Sequence, residues 1–413
     1  MKHDPASLLR LLMLLAAALL AGACQRVDRE APVPLAARAD SAPATAAAAW
    51  TRVANGDPAI DSLFVITRDR GIREGLDSLG ALAARDGTAD ARGHELAHAL
   101  GRFAAAGRGD ISILGECTPE FQSGCYHGAL EGLFLRGATV DRASVRGICA
   151  PGAADRPGYE RLECWHGLGH GLMVRFAGDH RQALPLCDAL QTPRGRRECQ
   201  DGVFMERALR AIDASSVGTD APAAAQSHAG HGGGKHGGHT ASPAAESGGR
   251  LSDAELQRLC AAVDAPHQPS CWAYQSVALL MVHGDDPSAV LAACDRAPAG
   301  AVRDCYQGFG KQYLGLVGGK VRPMIDACQA GNRAFAADCL LGGVEYFTDL
   351  EWDIAPGIAF CAQVPAEWKD RCYGLIGERL ALAHPARGVA EAECRRVEAA
   401  YVPACLAGAR RGD

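Results

Sequence analysis

The sequence has no excess of basic residues and few aromatic residues. Lys and Arg number 42 against 48 Asp and Glu, so the net charge is −6, which argues against a nucleic-acid-binding surface. Aromatic residues make up 6% of the chain, whereas the small residues Ala and Gly are abundant, as is common where helices pack closely. We find no phosphate-binding loop, no C-x-x-C-H haem motif and no Ser/His/Asp order that would indicate a hydrolytic triad.

A membrane-spanning segment is not expected either, because the one apolar run is short. That run, "LLMLLAAALLAGA" (11–23), follows basic residues and is typical of a signal peptide over 1–24. Its end resembles a lipobox, so Cys24 is a candidate lipidation site; ordinary signal cleavage is the alternative. Residues 25–56 are rich in Ala and Pro and are predicted to be a disordered tether. We therefore expect a lipoprotein anchored at the periplasmic side of the outer membrane or at the cell surface.

Cysteine, by contrast, is abundant and regularly placed. With Cys24 set aside, sixteen of the 17 cysteines remain, and an even number in an exported chain favours disulfides over metal thiolates. We predict one disulfide within each of eight near pairs: Cys117 with Cys125, Cys149 with Cys164, Cys187 with Cys199, Cys260 with Cys271, Cys294 with Cys305, Cys328 with Cys339, Cys361 with Cys372, and Cys394 with Cys405.

The cysteine pairs recur with a period of about 34 residues. The first members of the last five pairs are evenly spaced, and the earlier pairs keep similar intervals except between Cys187 and Cys260. That long interval contains a low-complexity segment of about 39 residues, and without it the spacing agrees with the others. Residues 213–251 are therefore predicted to be a disordered His/Gly-rich insert.

This period is typical of stacked helical hairpins. In "CYQGFGKQYLGLVGGKVRPMIDAC" (305–328), one helix begins at a cysteine, Gly-Gly ends it, and a second helix runs into the next cysteine. Each disulfide then joins one hairpin to the next. We predict an all-α fold, a right-handed α-solenoid of about nine hairpins, with N-terminal repeats over 57–212 and C-terminal repeats over 252–413.

The segment "CTPEFQSGCYHG" (117–128) resembles the cysteine-rich Sel1-like repeat proteins, and "DCYQGFG" (304–310) and "RCYGLIG" (371–377) are looser matches. The resemblance covers about 117–405 and concerns the architecture, because most repeats have a longer cysteine spacing and lack the usual Ala/Gly/Tyr pattern. It implies a tetratricopeptide-like solenoid with one disulfide per repeat. Such arrays usually present a concave groove to a peptide or protein partner.

Three consecutive repeats carry residues that commonly bind metals at two equivalent positions. In the repeats that contain cysteines, these are the second and sixth positions (+2 and +6) after the second cysteine. The residues are His94 and His98, His127 and Glu131, and His166 and His170. The first two precede the next pair by one period, in a repeat without cysteines. Residues four apart share a helix face, and neighbouring helices lie about 8–10 Å apart, so these six side chains can converge.

We predict that this set binds a transition metal, zinc by default, with copper, nickel or iron also compatible. Glycines at +3, namely Gly128, Gly167 and Gly202, are expected to allow close helix approach. Two alternatives remain open. The histidines could be core residues bonded to backbone carbonyls, or they could line the groove of a metal-free scaffold.

The stretch "HELAH" (94–98) also matches H-E-x-x-H, the helix motif of zinc peptidases. It resembles that of gluzincins, in which Glu95 would be the general base and Glu131 the third ligand. The repeat register already accounts for the two histidines, so peptidase activity is a second alternative. If the metal is catalytic, Glu95 or Glu131 is the candidate acid/base and hydrolysis is the expected reaction class.

The tract "HAGHGGGKHGGH" (228–239) places further histidines in the predicted insert. Such a composition can bind Cu²⁺, Ni²⁺ or Zn²⁺ loosely and could deliver metal to a rigid site. The alternative is a loop without a function of its own.

Overall fold

The computed structural model describes residues 50, 53–54, 56–136, 140–149, 158–216, 258–283, 286–384 and 387–411. All of them belong to one compact unit, 35–413. Regular structure in these residues is entirely helical. The predicted signal peptide with Cys24, and residues 217–251 of the predicted insert with its histidine tract, lie outside the described residues. The first four residues of that insert, 213–216, belong instead to the helix Pro193–Ser216.

Eighteen α-helices of five or more residues are described. They are α1 (Pro58–Arg70), α2 (Ile72–Ala83), α3 (Gly87–Ala91), α4 (Gly93–Arg108), α5 (Gly124–Leu135), α6 (Arg142–Ile148), α7 (Gly158–Arg175), α8 (His180–Cys187), α9 (Pro193–Ser216), α10 (Gln268–His283), α11 (Pro287–Cys294), α12 (Val302–Leu316), α13 (Val321–Ala330), α14 (Ala336–Glu351), α15 (Ala355–Gln363), α16 (Ala366–Ala383), α17 (Arg387–Glu393) and α18 (Val402–Ala409). No helix in this described part of the chain is both long and apolar enough to cross a membrane.

The helical core begins earlier than the sequence indicates. Trp50, Val53 and Ala54 are buried, and the Trp50 ring stacks on Phe64 with centroids 5.4 Å apart. The prediction of a tether that extends to residue 56 is therefore wrong at its C-terminal end. The composition of this stretch is dominated by Ala and Pro, which led to the prediction of disorder. The prediction gave no weight to Trp50, a single large apolar side chain that packs into the core.

Among the described helices after α5, short helices stand between the long ones, except that α10 follows α9 directly. The long helices pack against one another in chain order: α4, α5, α7, α9, α10, α12, α14, α16 and α18. All eight predicted disulfides are present, so the pairing is confirmed. Their bonds join Cys117 to Cys125, Cys149 to Cys164, Cys187 to Cys199, Cys260 to Cys271, Cys294 to Cys305, Cys328 to Cys339, Cys361 to Cys372, and Cys394 to Cys405. This repeated link between a short helix and the following long helix gives successive long helices a common register.

The long helices begin before the second cysteine of each pair, and the prediction that they begin at this cysteine is wrong. The cysteines concerned are Cys164, Cys199, Cys271, Cys305, Cys339, Cys372 and Cys405, which lie about one or two turns inside their helices. Each disulfide therefore leaves from the side of a long helix, where the cysteine can face the short helix. Proline in the first turn, as at Pro193 and Pro403, was the available sign of the earlier start.

Glycine sets the closeness of this packing. In later repeats, the glycine at +3 faces the carbonyl oxygen of the +2 residue on the preceding long helix. The pairs are Gly202 with His166, Gly308 with Ala273, Gly342 with Gln307, and Gly408 with Gly374. A methyl group at any of these glycines would overlap the carbonyl, because the two backbones are in direct contact. The expected role of the +3 glycine is confirmed.

The stack of long helices also turns back on itself. The start of α7 contacts α16, where Gly158 faces the carbonyl of Leu382. Beside this contact, the Tyr159 ring stacks on Trp352 at the end of α14, with centroids 5.6 Å apart. Trp352 Nε1 also donates a hydrogen bond to Glu163 Oε1 at 3.0 Å. These contacts close the stack over six consecutive long helices, from α7 to α16.

Candidate metal centre

The structure brings all five histidines predicted from the sequence into one cluster. The closest ring centroids are His127 and His170 at 4.9 Å, and His166 lies 5.1 Å from each of them. At the other end, the His94 and His127 rings are 5.6 Å apart. Four of the five imidazoles are buried, and His166 is half-buried. The +2/+6 pattern therefore located a real convergence of side chains.

The register of α4 differs from the one assigned to it by sequence. A methyl group on Gly128 would overlap the carbonyl of His98, so His98, and not His94, occupies the +2 position by packing. Arg102 then stands at +6, and His94 lies one turn earlier. The register predicted from the repeat spacing is shifted by one helical turn, because α4 has no cysteine to fix it. His94 still joins the cluster, since its ring extends from the preceding turn of the same face.

Glu131 is fully buried and is approached by two groups of α4. Its Oε2 forms a short ion pair with Arg102, and its Oε1 lies 3.3 Å from His98 Nε2. Arg102 also approaches His98 Nδ1 at 3.2 Å; because a guanidinium can only donate, Nδ1 carries the lone pair and Nε2 the proton. His98 thus directs its N–H toward the carboxylate, and such outer-sphere neighbours orient the carboxylate ligands of metal sites.

Glu206 on α9 is a second buried carboxylate, which the sequence reasoning missed. Its Oε2 lies 3.2 Å from His170 Nδ1, and Arg210 Nε donates to Oε1 at 2.9 Å. The sequence pattern concerns the +6 position, where this repeat has Met205, whereas Glu206 stands at +7. The preceding repeats have Gly132 and Gly171 at +7, both in tight contact with the preceding long helix. A charged residue in place of the glycine of the two preceding repeats was the available signal.

Glu131, His170 and Glu206 form a buried group that could hold a metal ion. One potential ligand atom from each lies within 4.8 Å of the other two. Two carboxylate oxygens and one imidazole nitrogen are ligands for Zn²⁺ and for several other first-row metals. Because Arg102 and Arg210 each bind one carboxylate, the net charge of the two pairs is zero, which reduces the cost of burying them.

His127 lies at the centre of the cluster and lacks hydrogen bonds. Neither of its buried ring nitrogens makes one within the described residues, and Glu163 Oε2, at 3.4 Å from Nε2, is outside hydrogen-bonding geometry. Burial, followed by the positive charge that its four neighbouring histidines would carry, lowers the pKa of His127 well below its ordinary value. The ring is therefore neutral at physiological pH and retains a lone pair for a ligand.

His166 and His170 contact each other directly. Their Nε2 atoms are 3.3 Å apart, and the Tyr274 ring of α10 lies 6.1 Å from that of His166. Burial, followed by the effects of His170 and Lys311, lowers the pKa of His166 well below its ordinary value. His166 thus presents a neutral imidazole to His170 at the more accessible side of the cluster.

Glu163 connects the cluster to the closure between α7 and α14. Burial, reinforced by the negative charge of Asp349, raises the pKa of Glu163 to about 8. The bond from Trp352 Nε1 opposes this rise without cancelling it. Glu163 is therefore mostly protonated at neutral pH. The sequence did offer a sign of it, because Glu198, Asp304 and Asp338 likewise stand immediately before the second cysteine of a pair.

Glu95, the other candidate acid/base, is engaged outside the histidine contacts. Arg92 donates to both of its carboxylate oxygens, at 2.9 and 3.2 Å, and also to the carbonyl of Val53. His94 Nδ1 lies 2.8 Å from the Phe121 carbonyl, to which it must donate its proton. This leaves the lone pair of His94 on Nε2, the tautomer typical of a metal-ligating histidine.

No protein-family model, curated protein or solved structure matches this chain. The likeness to Sel1-like repeats stays a prediction.

Proposed function

We propose that this protein is an exported α-solenoid that binds a first-row transition metal in its buried histidine/glutamate cluster. The observation that carries the proposal is the group of Glu131, His170 and Glu206, whose ligand atoms lie within 4.8 Å of one another. Zinc is the default ion because it accepts both imidazole and carboxylate and requires only four ligands. The neighbouring imidazoles supply candidates for the remaining coordination positions.

The two ring nitrogens of His127, which make no hydrogen bond within the described part of the chain, favour a metal-binding site over a purely structural core. A buried imidazole without hydrogen bonds lowers the free energy of unfolding by roughly 1–3 kcal/mol. Histidines that serve only as core residues normally form hydrogen bonds and avoid this loss. The alternative of core histidines bonded to carbonyls describes His94, whose Nδ1 donates to the Phe121 carbonyl, but not His127.

Export is supported by the cysteines. Eight disulfides indicate an oxidising, extracytoplasmic environment. Lipid attachment at Cys24, and with it contact with a membrane, is the finer part of the proposal and follows from the lipobox-like sequence.

Metal-dependent hydrolysis is the reaction class proposed if the ion is catalytic. Glu131 is then the better acid/base candidate, because it lies beside the other ligands whereas Arg92 occupies both oxygens of Glu95. The same pairing disfavours the zinc-peptidase alternative, in which Glu95 must be free to activate water.

The first experiment is elemental analysis of the oxidised, tag-free exported protein. His228, His231, His236 and His239 are replaced by Ser so that loosely bound metal does not contribute. Retention of at least one ion per chain after dialysis, lost in Glu131→Gln/Glu206→Gln, is the expected result. A folded protein that retains no Zn²⁺, Cu²⁺ or Fe²⁺ would refute metal binding and leave the scaffold, which binds a peptide or protein partner in its groove, as the working hypothesis.

A further inference from the structure

We propose that the cluster holds a second metal ion, bound by His127, His166 and His170, so that the His170 ring lies between two ions. The first ion is that of the proposed function, beside Nδ1 of His170 and the two carboxylates. The second lies beside Nε2 of the same ring. The inference rests on the proposed function and extends it from one ion to two.

Each nitrogen of His170 faces a different set of ligands. Nδ1 lies 3.2 Å from Glu206 Oε2, in the group that also contains Glu131. Nε2 lies 3.3 Å from Nε2 of His166. With metal–nitrogen bonds of 2.0–2.1 Å in tetrahedral geometry, two nitrogens on one Zn²⁺ are separated by roughly 3.3 Å. The His166–His170 spacing is therefore that of two ligands of a single ion.

His127 supplies the third nitrogen of this second position. Its ring lies 4.9 Å from that of His170 and 5.1 Å from that of His166, and it is the buried imidazole without hydrogen bonds. Glu163 Oε2 lies 3.4 Å from Nε2, so after a small rotation the N–H at Nε2 can donate to this carboxyl group. The other nitrogen then carries the lone pair, as in carboxylate–histidine–metal arrangements.

A direct N–H···N bond between His166 and His170 is the metal-free explanation of their contact. That bond satisfies one nitrogen of each ring but leaves both nitrogens of His127 without a hydrogen bond. An ion at this position would engage all three imidazoles at once. The number of potential ligands also supports two ions, because five imidazoles and two carboxylates are more than one four-coordinate ion can bind.

Sharing His170 requires its ring to lose the N–H proton, which is released to solvent when the second ion binds. The two positions are also expected to prefer different metal ions. The all-nitrogen position favours Cu²⁺ or Zn²⁺, whereas the carboxylate position also suits harder ions such as Fe²⁺. The half-buried His166 lies at the accessible side of the cluster, so solvent can reach this second position.

The test uses the full exported chain with the four histidines of the 228–239 tract replaced by Ser. Zn²⁺ is added in excess, and the protein is dialysed and analysed for metal per chain. We expect two ions in this parent, one in His166→Gln, one in Glu131→Gln/Glu206→Gln, and a loss of at least one in His170→Gln. His384→Gln, which removes an exposed imidazole elsewhere, should retain both. Far-ultraviolet circular dichroism confirms that each variant is folded.

The outcomes separate the two proposals. One ion in the parent, unchanged in His166→Gln and lost in the double carboxylate variant, overturns the second position and leaves the proposed function intact. No ion in the parent refutes both. Two ions that both survive His166→Gln also overturn the inference.

Copper tests whether the ring is shared. With two Cu²⁺ ions bound, an imidazolate bridge couples their spins, so the parent should show an electron paramagnetic resonance intensity below that of two independent ions. His166→Gln with one Cu²⁺ should show the full intensity of a single ion. Two uncoupled Cu²⁺ signals in the parent would overturn the shared position of His170.

Discussion

At the scale of single residues, the stability of the cluster depends on two buried carboxylates, each of which is paired with one arginine. Glu206 is 2% exposed and paired with Arg210, and Glu131 is paired with Arg102 in the same manner. Each carboxylate thereby keeps one oxygen for an arginine and turns the other toward an imidazole. The arginines thus make the metal-free site stable without occupying its inner side.

Removal of Arg210 should expose this dependence. Arg210→Met leaves the buried Glu206 charge without its cation, and we expect the free energy of unfolding of the metal-free protein to fall by about 1–3 kcal/mol in urea. The additional substitution Glu206→Gln should restore most of the loss, because the unpaired charge is removed. Arg181→Met is the matched control, since the Arg181 side chain is 81% exposed and its ion pair with Asp179 should matter little. Equal losses in Arg210→Met and Arg181→Met would contradict the prediction.

The pH dependence of stability should report on Glu163. Because its pKa is raised to about 8 in the folded protein, the folded state binds the proton more tightly than the unfolded chain does. Its contribution is fully present below its unfolded pKa, near 4.5, and is lost as the pH rises toward 8.

Glu163→Gln should therefore gain stability relative to the native sequence as the pH rises from 5 to 8, by an amount on the order of a few kcal/mol. Urea unfolding of both metal-free proteins at several pH values measures the difference. A difference that is constant across this range would show that Glu163 titrates as an ordinary exposed carboxyl group.

At the scale of helices, backbone contact at glycine determines where the histidines stand. Gly202 of α9 faces the carbonyl of His166, a predicted ligand on α7. The spacing of α7 and α9 therefore also sets the distance between His170 and Glu206.

Gly202→Ala should separate these two helices. The added methyl group overlaps a backbone carbonyl that cannot rotate away, so we expect a loss of about 1–3 kcal/mol in the free energy of unfolding and weaker Zn²⁺ binding by titration. Gly147→Ala is the control, because Gly147 lies within α6 and a methyl group there meets no atom within 4 Å. It should be neutral or stabilising by up to about 1 kcal/mol. Normal Zn²⁺ binding by Gly202→Ala would argue against this coupling.

At the scale of the whole molecule, the contact of α7 with α14 and α16 closes the stack. Trp352 takes a left-handed backbone conformation (φ 56°) at the end of α14, which directs its ring onto Tyr159 and its Nε1 toward Glu163. The same contact lies beside the histidine cluster, because Glu163 and His166 are less than one turn apart on α7.

Trp352→Ala should open this closure. Loss of the ring stacking and of the bond to Glu163 should lower the free energy of unfolding by about 2–4 kcal/mol. Hydrogen exchange should accelerate at the start of α7 but not in α12. Trp352→Gly should be less destabilised than Trp352→Ala by roughly 1 kcal/mol, since glycine adopts the left-handed conformation without strain. Unchanged exchange at the start of α7 in both variants would show that the closure does not depend on Trp352.

The sequence predicted those features that repeat and missed those that occur once. The disulfide pairs and the convergence of five histidines followed from a period of about 34 residues, which each cysteine pair marks. The register of α4 was misjudged because no cysteine marks it. Glu206 was missed because it stands one position outside the compared pattern. The closure through Trp352 joins residues 189 apart, and no local pattern encodes such a contact.

The Cys117–Cys125 disulfide has a consequence for the order in which the protein matures. The loop that it closes contains three consecutive residues in left-handed conformation, Phe121 to Ser123, and the Phe121 carbonyl fixes the proton of His94. The second cysteines of the first two pairs likewise stand two residues before His127 and His166. For the proposed metal binding, oxidation would therefore have to come first: before it, sixteen thiols would compete for the ion, and afterwards only the imidazoles and carboxylates would remain as ligands.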